Sequence, residues 1–509
     1  MRRHVWAGLA ENPALPAEAV DRLVELPELS MELAGRSGLT AGQVEALAGR
    51  GVVEARILAE SGQLTAARVD PARQPVAALG LLRAGLAPAR WAVELVERPE
   101  LREQLAACPN LPAEVARRLA GDADLAVAVE LAEETTDREV AALLASHPSE
   151  HVRAALGYNR GASPAVLADL INNRPPLASC DTCARHSVPW VHPPDCPDPD
   201  CTLPGGAACD GTHQYARHAI LEAALGNPAA PVTAAMRYLD APSAFLREKL
   251  AARTDLPAHA YAALAADPAI RVRSPLASNP AIGDELLRRL AEDPSDEVRR
   301  SAAQHPLIAL DALDRLCGTV RLGPLPPPRI AAATCSELDA SAAAANPELR
   351  RLTALRRDLP DAVRDLLAAD PVAKVAAAVA PHPGLDDGQL RAMHRRHGRA
   401  VAAGIAASPD ASTALLAELV HADHNVATLR ALADHPAADG ATLTTCLRDA
   451  RARRKAAVHP ALPLPQLLLL LDDSDPVTAQ CAAANPALPV AEMLRLMPGA
   501  GRRLNGSMA

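Results

Sequence analysis

The sequence contains very few aromatic residues and very little lysine. Aromatic side chains make up 2% of the 509 residues, with one phenylalanine. A large compact core normally depends on the apolar area of aromatic rings, so we expect thin, closely packed helices rich in alanine, leucine and valine instead. The only lysines are Lys249, Lys374 and Lys455. Combined with frequent alanine and proline, this preference for arginine indicates a bacterial gene of high GC content.

Long apolar runs are also absent. The longest, within residues 464–473, is too short to cross a bilayer. Residues 1–16 have no sustained apolar stretch of the kind found in signal peptides. The formal net charge of −9 disfavours a general nucleic-acid binder, whose surface is normally basic. We therefore expect a cytoplasmic protein with no membrane segment, whose cysteines remain reduced.

A short phrase built around Asn-Pro or His-Pro recurs along the chain. The equivalent positions Asn227, Arg253, Asn279 and His305 follow one another at intervals of 26 residues, and the interval 12–36 is 24 residues. Regular spacing of this kind is the signature of a repeat architecture. The sequence therefore predicts repeats of about 24–26 residues.

Each repeat has two parts. The first is an apolar-periodic segment after the corner, in which Leu286, Leu287 and Leu290 share one helical face. The second reads Asp-Pro-x-x-x-Val-Arg, as at 267–273 and 293–299; its Asp suits an N-cap, and it has room for about two turns of α or 3-10 helix. Because so small a unit cannot bury its apolar face alone, neighbouring units must stack into an all-α solenoid.

This pattern resembles the leucine-rich repeat variant family. The residues that carry the resemblance are 293–308 and 475–489, where Asp-Pro-x-x-x-Val-Arg or a looser form of it leads into the Asn-Pro or His-Pro corner. The resemblance covers nearly the whole chain outside two inserts, and a HEAT-like repeat is the neighbouring alternative. It implies alternating α and 3-10 helices wound into a right-handed superhelix. It also implies that an iron–sulfur module can accompany the repeats, and it implies no reaction.

Two of the intervals between successive corners are longer than one repeat. In both, the extra residues lie between the first and the second helix of the repeat. We expect both inserts on the same rim of the array, because insertions in repeat proteins tend to emerge on one face. The second insert contains Gly-Pro-Leu-Pro-Pro-Pro and is either a loop or a decayed repeat. The predicted segments are N-terminal repeats 1–172, a cysteine-rich insert 173–213, central repeats 214–317, a proline-rich segment 318–345, C-terminal repeats 346–500 and a tail 501–509.

The first insert holds five of the ten cysteines. Closely spaced pairs of cysteines allow two thiolates to reach one ion from a tight turn. In a reducing compartment such a cluster favours a metal over disulfides. The candidate ligands are Cys180, Cys183, Cys196, Cys201, Cys209 and His213.

The metal is either zinc or an iron–sulfur cluster. Four of these ligands are enough for a structural zinc site, and thiolates are equally suited to iron–sulfur. The run from Cys209 to His213 is similar to the Cys-Asp-Gly-Ser-His motif of CDGSH iron–sulfur proteins, in which that Cys and His are ligands. The C-x-C pair of that family is missing, because Cys196 and Cys201 are four residues apart. The remaining five cysteines are expected to be small core residues.

Two further groups of polar residues have modest interpretations. Histidines that precede proline at the corners are expected to serve as turn or capping residues. The arginine runs near 391–399 and 448–455 form either a solvated face or an anion-binding surface. The candidate anion-binding residues are Arg395, Arg396, Arg453 and Arg454.

The sequence contains no phosphate-binding loop, nucleophile elbow or zinc-protease motif. We therefore expect a non-enzymatic repeat scaffold that binds a protein partner and carries an inserted iron–sulfur or zinc module. A nucleic-acid-binding helical-repeat protein that uses the arginine runs is the alternative, disfavoured by charge and by the scarcity of aromatics. A metal-dependent enzyme centred on the insert is the third possibility.

Overall fold

A computed structural model describes residues 2–172, 214–241, 243–422 and 425–498. Throughout these ranges the regular secondary structure is helical, and the only β-type pairing is an isolated bridge between Cys317 and Val320. The predicted all-α class is confirmed. Most helices are short, because proline and glycine interrupt the chain at nearly every corner.

The chain divides into two compact units. The first combines residues 1–64 with 323–326 and 330–509. Its helices, with the 3-10 turn Pro27–Leu29, are Arg2–Glu11, Ala17–Val24, Ser30–Ala34, Ala41–Ala48, Val52–Glu60, Cys335–Ala342, Pro347–Ala354, Asp361–Ala368, Ala373–Val379, Asp387–His397, Arg399–Ala406, Thr413–Ala422, Val426–Asp434, Gly440–Cys446, Ala450–Val458, Leu464–Leu470, Pro476–Ala483 and Val490–Leu496.

The second unit consists of residues 65–322 with 327–329. It contains the 3-10 turns Ala66–Arg68, Pro99–Leu101 and Met236–Tyr238, and a four-residue helix Pro328–Ala331 begins at its end. Its other helices are Pro75–Arg83, Trp91–Leu95, Arg102–Ala106, Ala113–Ala120, Leu125–Glu134, Arg138–Ala145, Glu150–Tyr158, Pro164–Asn172, Gln214–Gly226, Val232–Ala235, Ala244–Ala251, Ala258–Ala265, Ile270–Ala277, Asp284–Ala291, Asp296–Ala302 and Leu310–Leu316.

Helices pack mainly against the second helix before and after them in the chain. In the second unit, Ile270–Ala277 lies between Ala244–Ala251 and Asp296–Ala302. In the first unit, Arg399–Ala406 contacts Ala373–Val379 on one side and Val426–Asp434 on the other. Helices that follow a corner therefore pack against the helices that follow the neighbouring corners. Helices that precede a corner pack against one another in the same way.

The apolar faces behave as the sequence predicts. Helix Asp284–Ala291 buries Leu287 and Leu290 completely, while Leu286 is half-buried. Burying one leucine side chain contributes about 1.5–3 kcal/mol. Because each helix offers only two or three such side chains, its stability depends on its neighbours.

Asp475 is the N-cap of helix Pro476–Ala483, as the sequence suggests, but in the motifs at 267–273 and 293–299 the Asp is not the N-cap. Helix Ile270–Ala277 begins two residues later, at N-cap Ala269, and the Asp267 carboxylate accepts the Ala269 N–H at 2.9 Å. Asp293 accepts the Ser295 N–H in the same way, at 2.8 Å. The intervening proline and its successor form a turn, and the Asp side chain closes that turn.

In the first unit, the N-terminal helix packs on the C-terminal ones. Arg2–Glu11 lies against Pro476–Ala483. The Asn12 side-chain amide donates to the Ala483 and Asn485 carbonyl oxygens at 2.9 and 2.7 Å. Gly8 is required here, since a Cβ at this position would collide with a backbone carbonyl of the neighbouring helix. The N-terminal segment thus continues the stacking of the C-terminal helices.

The two inserts differ in what the structure describes. Residues 173–213 lie outside the described residues, between helices Pro164–Asn172 and Gln214–Gly226. The segment 318–345 contains helix Cys335–Ala342, which packs on Pro347–Ala354. Among the helices that the structure describes, none is both long and apolar enough to span a bilayer.

Candidate functional site

At many corners a buried or half-buried polar side chain reaches back to the corner before it. Asn279 is 3% exposed; its amide donates to the Ala251 and Arg253 carbonyls at 2.8 and 2.6 Å, and its oxygen accepts the Ala281 N–H at 3.0 Å. All three polar groups of the side chain are therefore satisfied. The same role is played by Asn12, Arg36, Asn159, Asn227, Arg253, His305, Arg356, His382, His435, His459 and Asn485.

The ring of His305 is held in one neutral tautomer. In His305, Nδ1 accepts the Leu307 N–H at 3.1 Å, so Nε2 carries the proton and donates to the Asn279 carbonyl at 2.8 Å. Burial lowers the pKa of His305, and burial likewise lowers that of His382. These side chains hold the backbone in place, which agrees with the expected turn role and leaves them unsuited to ligate a metal.

A second set of contacts joins arginines to aspartates twenty residues further along. Nε and one terminal nitrogen of Arg273 bind both Asp293 carboxylate oxygens at 2.8 and 3.1 Å. The other terminal nitrogen donates to the carbonyls of Asp267 and Pro268. We call this set the arginine–aspartate ladder. Its other pairs are Arg102–Asp122, Arg247–Asp267, Arg350–Asp370 and Arg453–Asp473.

The ladder pairs are mostly buried and stabilising. Burial raises the pKa of Asp293, but hydrogen bonds from Arg273 and the Ser295 N–H outweigh burial, and the net pKa lies below the ordinary value. The hydrogen bonds that Arg247 donates to the Asp267 carboxylate raise the pKa of Arg247 despite burial. Two-pronged arginine–carboxylate pairs of this kind are stronger than ordinary surface ion pairs. The ladder arginines are thus paired with aspartates of the same chain.

The ladder changes at Arg299. Its terminal nitrogen still donates to the carbonyls of Asp293 and Pro294, at 2.6 and 3.1 Å, so the guanidinium is anchored as in Arg273. Twenty residues on, however, stands Thr319, whose hydroxyl donates to the Leu316 carbonyl. Arg299 instead pairs with Asp296 of its own helix. Among the residues that the structure describes, no acceptor lies on its Nε–H.

The backbone explains why the ladder stops there. Helix Leu310–Leu316 is followed by Gly318 with φ of 95°, so the chain leaves the helix in a different turn from that after Asp284–Ala291. This is also where the second insert begins. The predicted first insert begins at the same spacing, because its first residue, 173, lies twenty residues after Arg153 and is an asparagine. Both inserts therefore begin where an aspartate of the ladder is expected.

A cavity of about 350 Å³ lies beside Arg299. Its floor is apolar, and its polar rim includes three arginines and one acid. Two of the arginines, Arg288 and Arg315, pair with aspartates one turn away on their own exposed helices. We call this space the Arg299 cavity. Its lining consists of Arg288, Ala291, Glu292, Arg299, Ala312, Arg315, Leu316 and Thr319.

A second cavity adjoins it one helix pair earlier. It measures about 570 Å³ and shares Glu292 with the first. Arg273 and Asp293, a complete ladder pair, line its wall, together with Arg289. The two cavities form the candidate functional site. They differ in one respect: Arg273 pairs with an aspartate twenty residues further along, and Arg299 has no aspartate at that spacing.

The predicted metal ligands from Cys180 to His213 lie outside the described residues. In the remainder of the chain, no group of three or more His, Cys, Asp or Glu side chains is arranged to hold an ion. Of the scattered cysteines, Cys108, Cys317 and Cys446 are buried, as expected. Cys335 is exposed, which corrects the expectation for that residue.

The predicted anion-binding arginines lie on two helices. Arg453 pairs with Asp473 as part of the ladder, and its neighbour Arg454 binds both oxygens of the Asp475 carboxylate. Arg395 and Arg396 are exposed near the end of Asp387–His397, and Arg396 donates to the carbonyl of Ala369, the C-cap residue of helix Asp361–Ala368. Three of the four therefore already have partners within the fold.

The Arg299 cavity is a feature that the sequence reasoning missed. The signal is present, because the arginine that ends Asp-Pro-x-x-x-Val-Arg is followed at +20 by the Asp of the next motif. Aligning the repeats on this spacing shows threonine where aspartate is expected after Arg299. No model of a known protein family matches the chain, and no curated protein is significantly similar to it.

Proposed function

We propose that the chain is a non-enzymatic binding scaffold for a protein partner, built from repeats like those of the leucine-rich repeat variant family. In this proposal the repeats stack into a right-handed superhelical solenoid in the bacterial cytoplasm. Residues 173–213 form a module inserted into it, which holds zinc or an iron–sulfur cluster through Cys180 and the other predicted ligands.

One observation carries the binding role: two adjoining, solvent-open cavities lie along successive helix pairs of the second unit. The corner side chains and the ladder are occupied in holding the helices together. The cavities between the helices, with arginine on their rims, are left for a ligand. Repetition at the spacing of the repeats suits an extended segment of a partner better than a compact small molecule.

The metal module has a supporting role in this proposal. A closed zinc site stabilises its own loop and contributes local order. An iron–sulfur cluster adds electron transfer or oxidant sensing to the same location. In either case the module is inserted between the first and second helix of its repeat, at the position where a ladder aspartate is expected.

A random peptide library displayed on phage tests the binding role. Selected peptides are mapped on the full chain by hydrogen exchange. We expect protection to run along consecutive helices of residues 258–322. Failure to select any binder, or protection confined to chain termini, contradicts the scaffold proposal.

A further inference from the structure

We propose that the Arg299 cavity binds a carboxylate of an acidic peptide segment, which takes the place of the aspartate that the other ladder steps supply. This inference rests on the proposed scaffold function and names the chemistry of its partner. It depends on three observations about the cavity: the orientation of Arg299, its exposed pairing with Asp296, and the charge and shape of the surroundings.

The first observation is that Arg299 is oriented before any ligand arrives. Its contacts with the Asp293 and Pro294 carbonyls match those of Arg273 with Asp267 and Pro268. In Arg273 this anchoring leaves Nε and one terminal nitrogen to grip two carboxylate oxygens. A guanidinium held in this way loses little conformational entropy when it binds a carboxylate.

The second observation concerns the aspartate that occupies Arg299. Asp296 lies three residues away on the same helix and is 68% exposed. Exposed pairs of this kind contribute little to stability. A two-pronged carboxylate contact is stronger, so an incoming carboxylate can displace Asp296 at little cost.

The third observation is the charge and shape of the surroundings. Arg288 and Arg315 flank Arg299, and both are 63% exposed and paired only with acids on their own helices. Their positive charge attracts an acidic segment at separations up to the Debye length, and this attraction weakens as salt is added. The apolar floor, with Ala291 and Leu316, accepts the methylene groups of a glutamate side chain. The single acid on the rim, Glu292, favours a singly charged carboxylate over a doubly charged phosphate.

The test measures binding of fluorescein-labelled hexaglutamate to the full chain by fluorescence anisotropy at low ionic strength. Two variants remove the site differently: Arg299→Gln removes the guanidinium, and Thr319→Asp adds a carboxylate to the cavity wall. We expect each to weaken hexaglutamate binding by at least ~10-fold, because a charge-assisted hydrogen-bonded pair is lost. Thermal unfolding of each variant checks that it remains folded.

Two matched controls accompany them. Arg138→Gln makes the same change in an exposed arginine of the second unit, and Thr136→Asp makes the same change at an exposed threonine of that unit. Both are expected to bind as wild type. If Arg138→Gln weakens binding and Arg299→Gln does not, the carboxylate site is elsewhere and the inference is overturned.

The remaining outcomes are also decisive. Absence of hexaglutamate binding by the wild type overturns the inference, while phage-selected binders along 258–322 still support the scaffold. The wild type could instead bind an oligouridylate through Arg299 and fail to bind hexaglutamate. In that case the ligand is a phosphate backbone, and the carboxylate inference is overturned. Loss of hexaglutamate binding in both site variants, with both controls unchanged, supports it.

Discussion

Asn279→Asp is the substitution that tests the corner contacts most severely. The change is nearly isosteric, but it removes both N–H donors to the Ala251 and Arg253 carbonyls and places a carboxylate oxygen against one of them. A buried polar group left without a partner costs about 1–3 kcal/mol. Two such carbonyls predict a loss of about 2–6 kcal/mol in the free energy of unfolding, with repulsion by the buried charge added to it.

The loss should be local, since each repeat contacts only its neighbours. Hydrogen exchange measured by mass spectrometry should therefore show the largest loss of protection in residues 244–302. Asn279→His is the matched control, because His305 performs the same task one repeat later with one donor and one acceptor. We expect the histidine variant to retain most of the protection. Equal exchange in wild type and Asn279→Asp would refute the claim that these side chains hold the repeats together.

Three further predictions concern single side chains. Because the folded-state pKa values of His305 and His382 lie below the usual 6.5, their contribution to stability is complete above that pH. This contribution is lost as the pH falls through 6.5 and below. Between pH 7.5 and 5.5 the thermal midpoint should therefore fall less steeply in the double variant His305→Asn, His382→Asn than in wild type. Gly8→Leu should lose the contact between the N-terminal and C-terminal helices, seen as proteolysis of the N-terminal segment without loss elsewhere. Burial raises the pKa of the Cys446 thiol to about 12, so a thiol reagent should label exposed Cys335 at once and Cys446 only after unfolding.

Apolar spacing and the corner phrase were enough to predict the helical class. The corner position of Asn279 and His305 was also readable, because their neighbouring prolines mark the turn. The sequence alone could not show that these side chains reach back to the previous corner. That contact depends on stacking, which brings together residues 24–28 positions apart, and no local propensity encodes it.

The candidate site was harder to find for the same reason. An arginine run attracts attention in a sequence, yet Arg453 and Arg454 already pair with Asp473 and Asp475 in the segment before helix Pro476–Ala483. Arg299 sits in an ordinary motif and differs from Arg273 only in what lies twenty residues further on. The N-cap assignment of Asp267 failed because the proline that follows it begins a turn before the helix starts, and the carboxylate is shared between that turn and Arg247.

Metal analysis of the intact chain and of a chain lacking residues 173–213, both purified without oxygen, tests the central claim most directly. The account predicts about one zinc site, or iron with sulfide and a broad absorption near ~400 nm, in the intact protein. It also predicts none in the shortened one, with the same helical circular dichroism per residue. Metal retained after the deletion, no metal in either protein, or collapse of the helical signal would each contradict a metal module inserted into an independently stacked repeat scaffold.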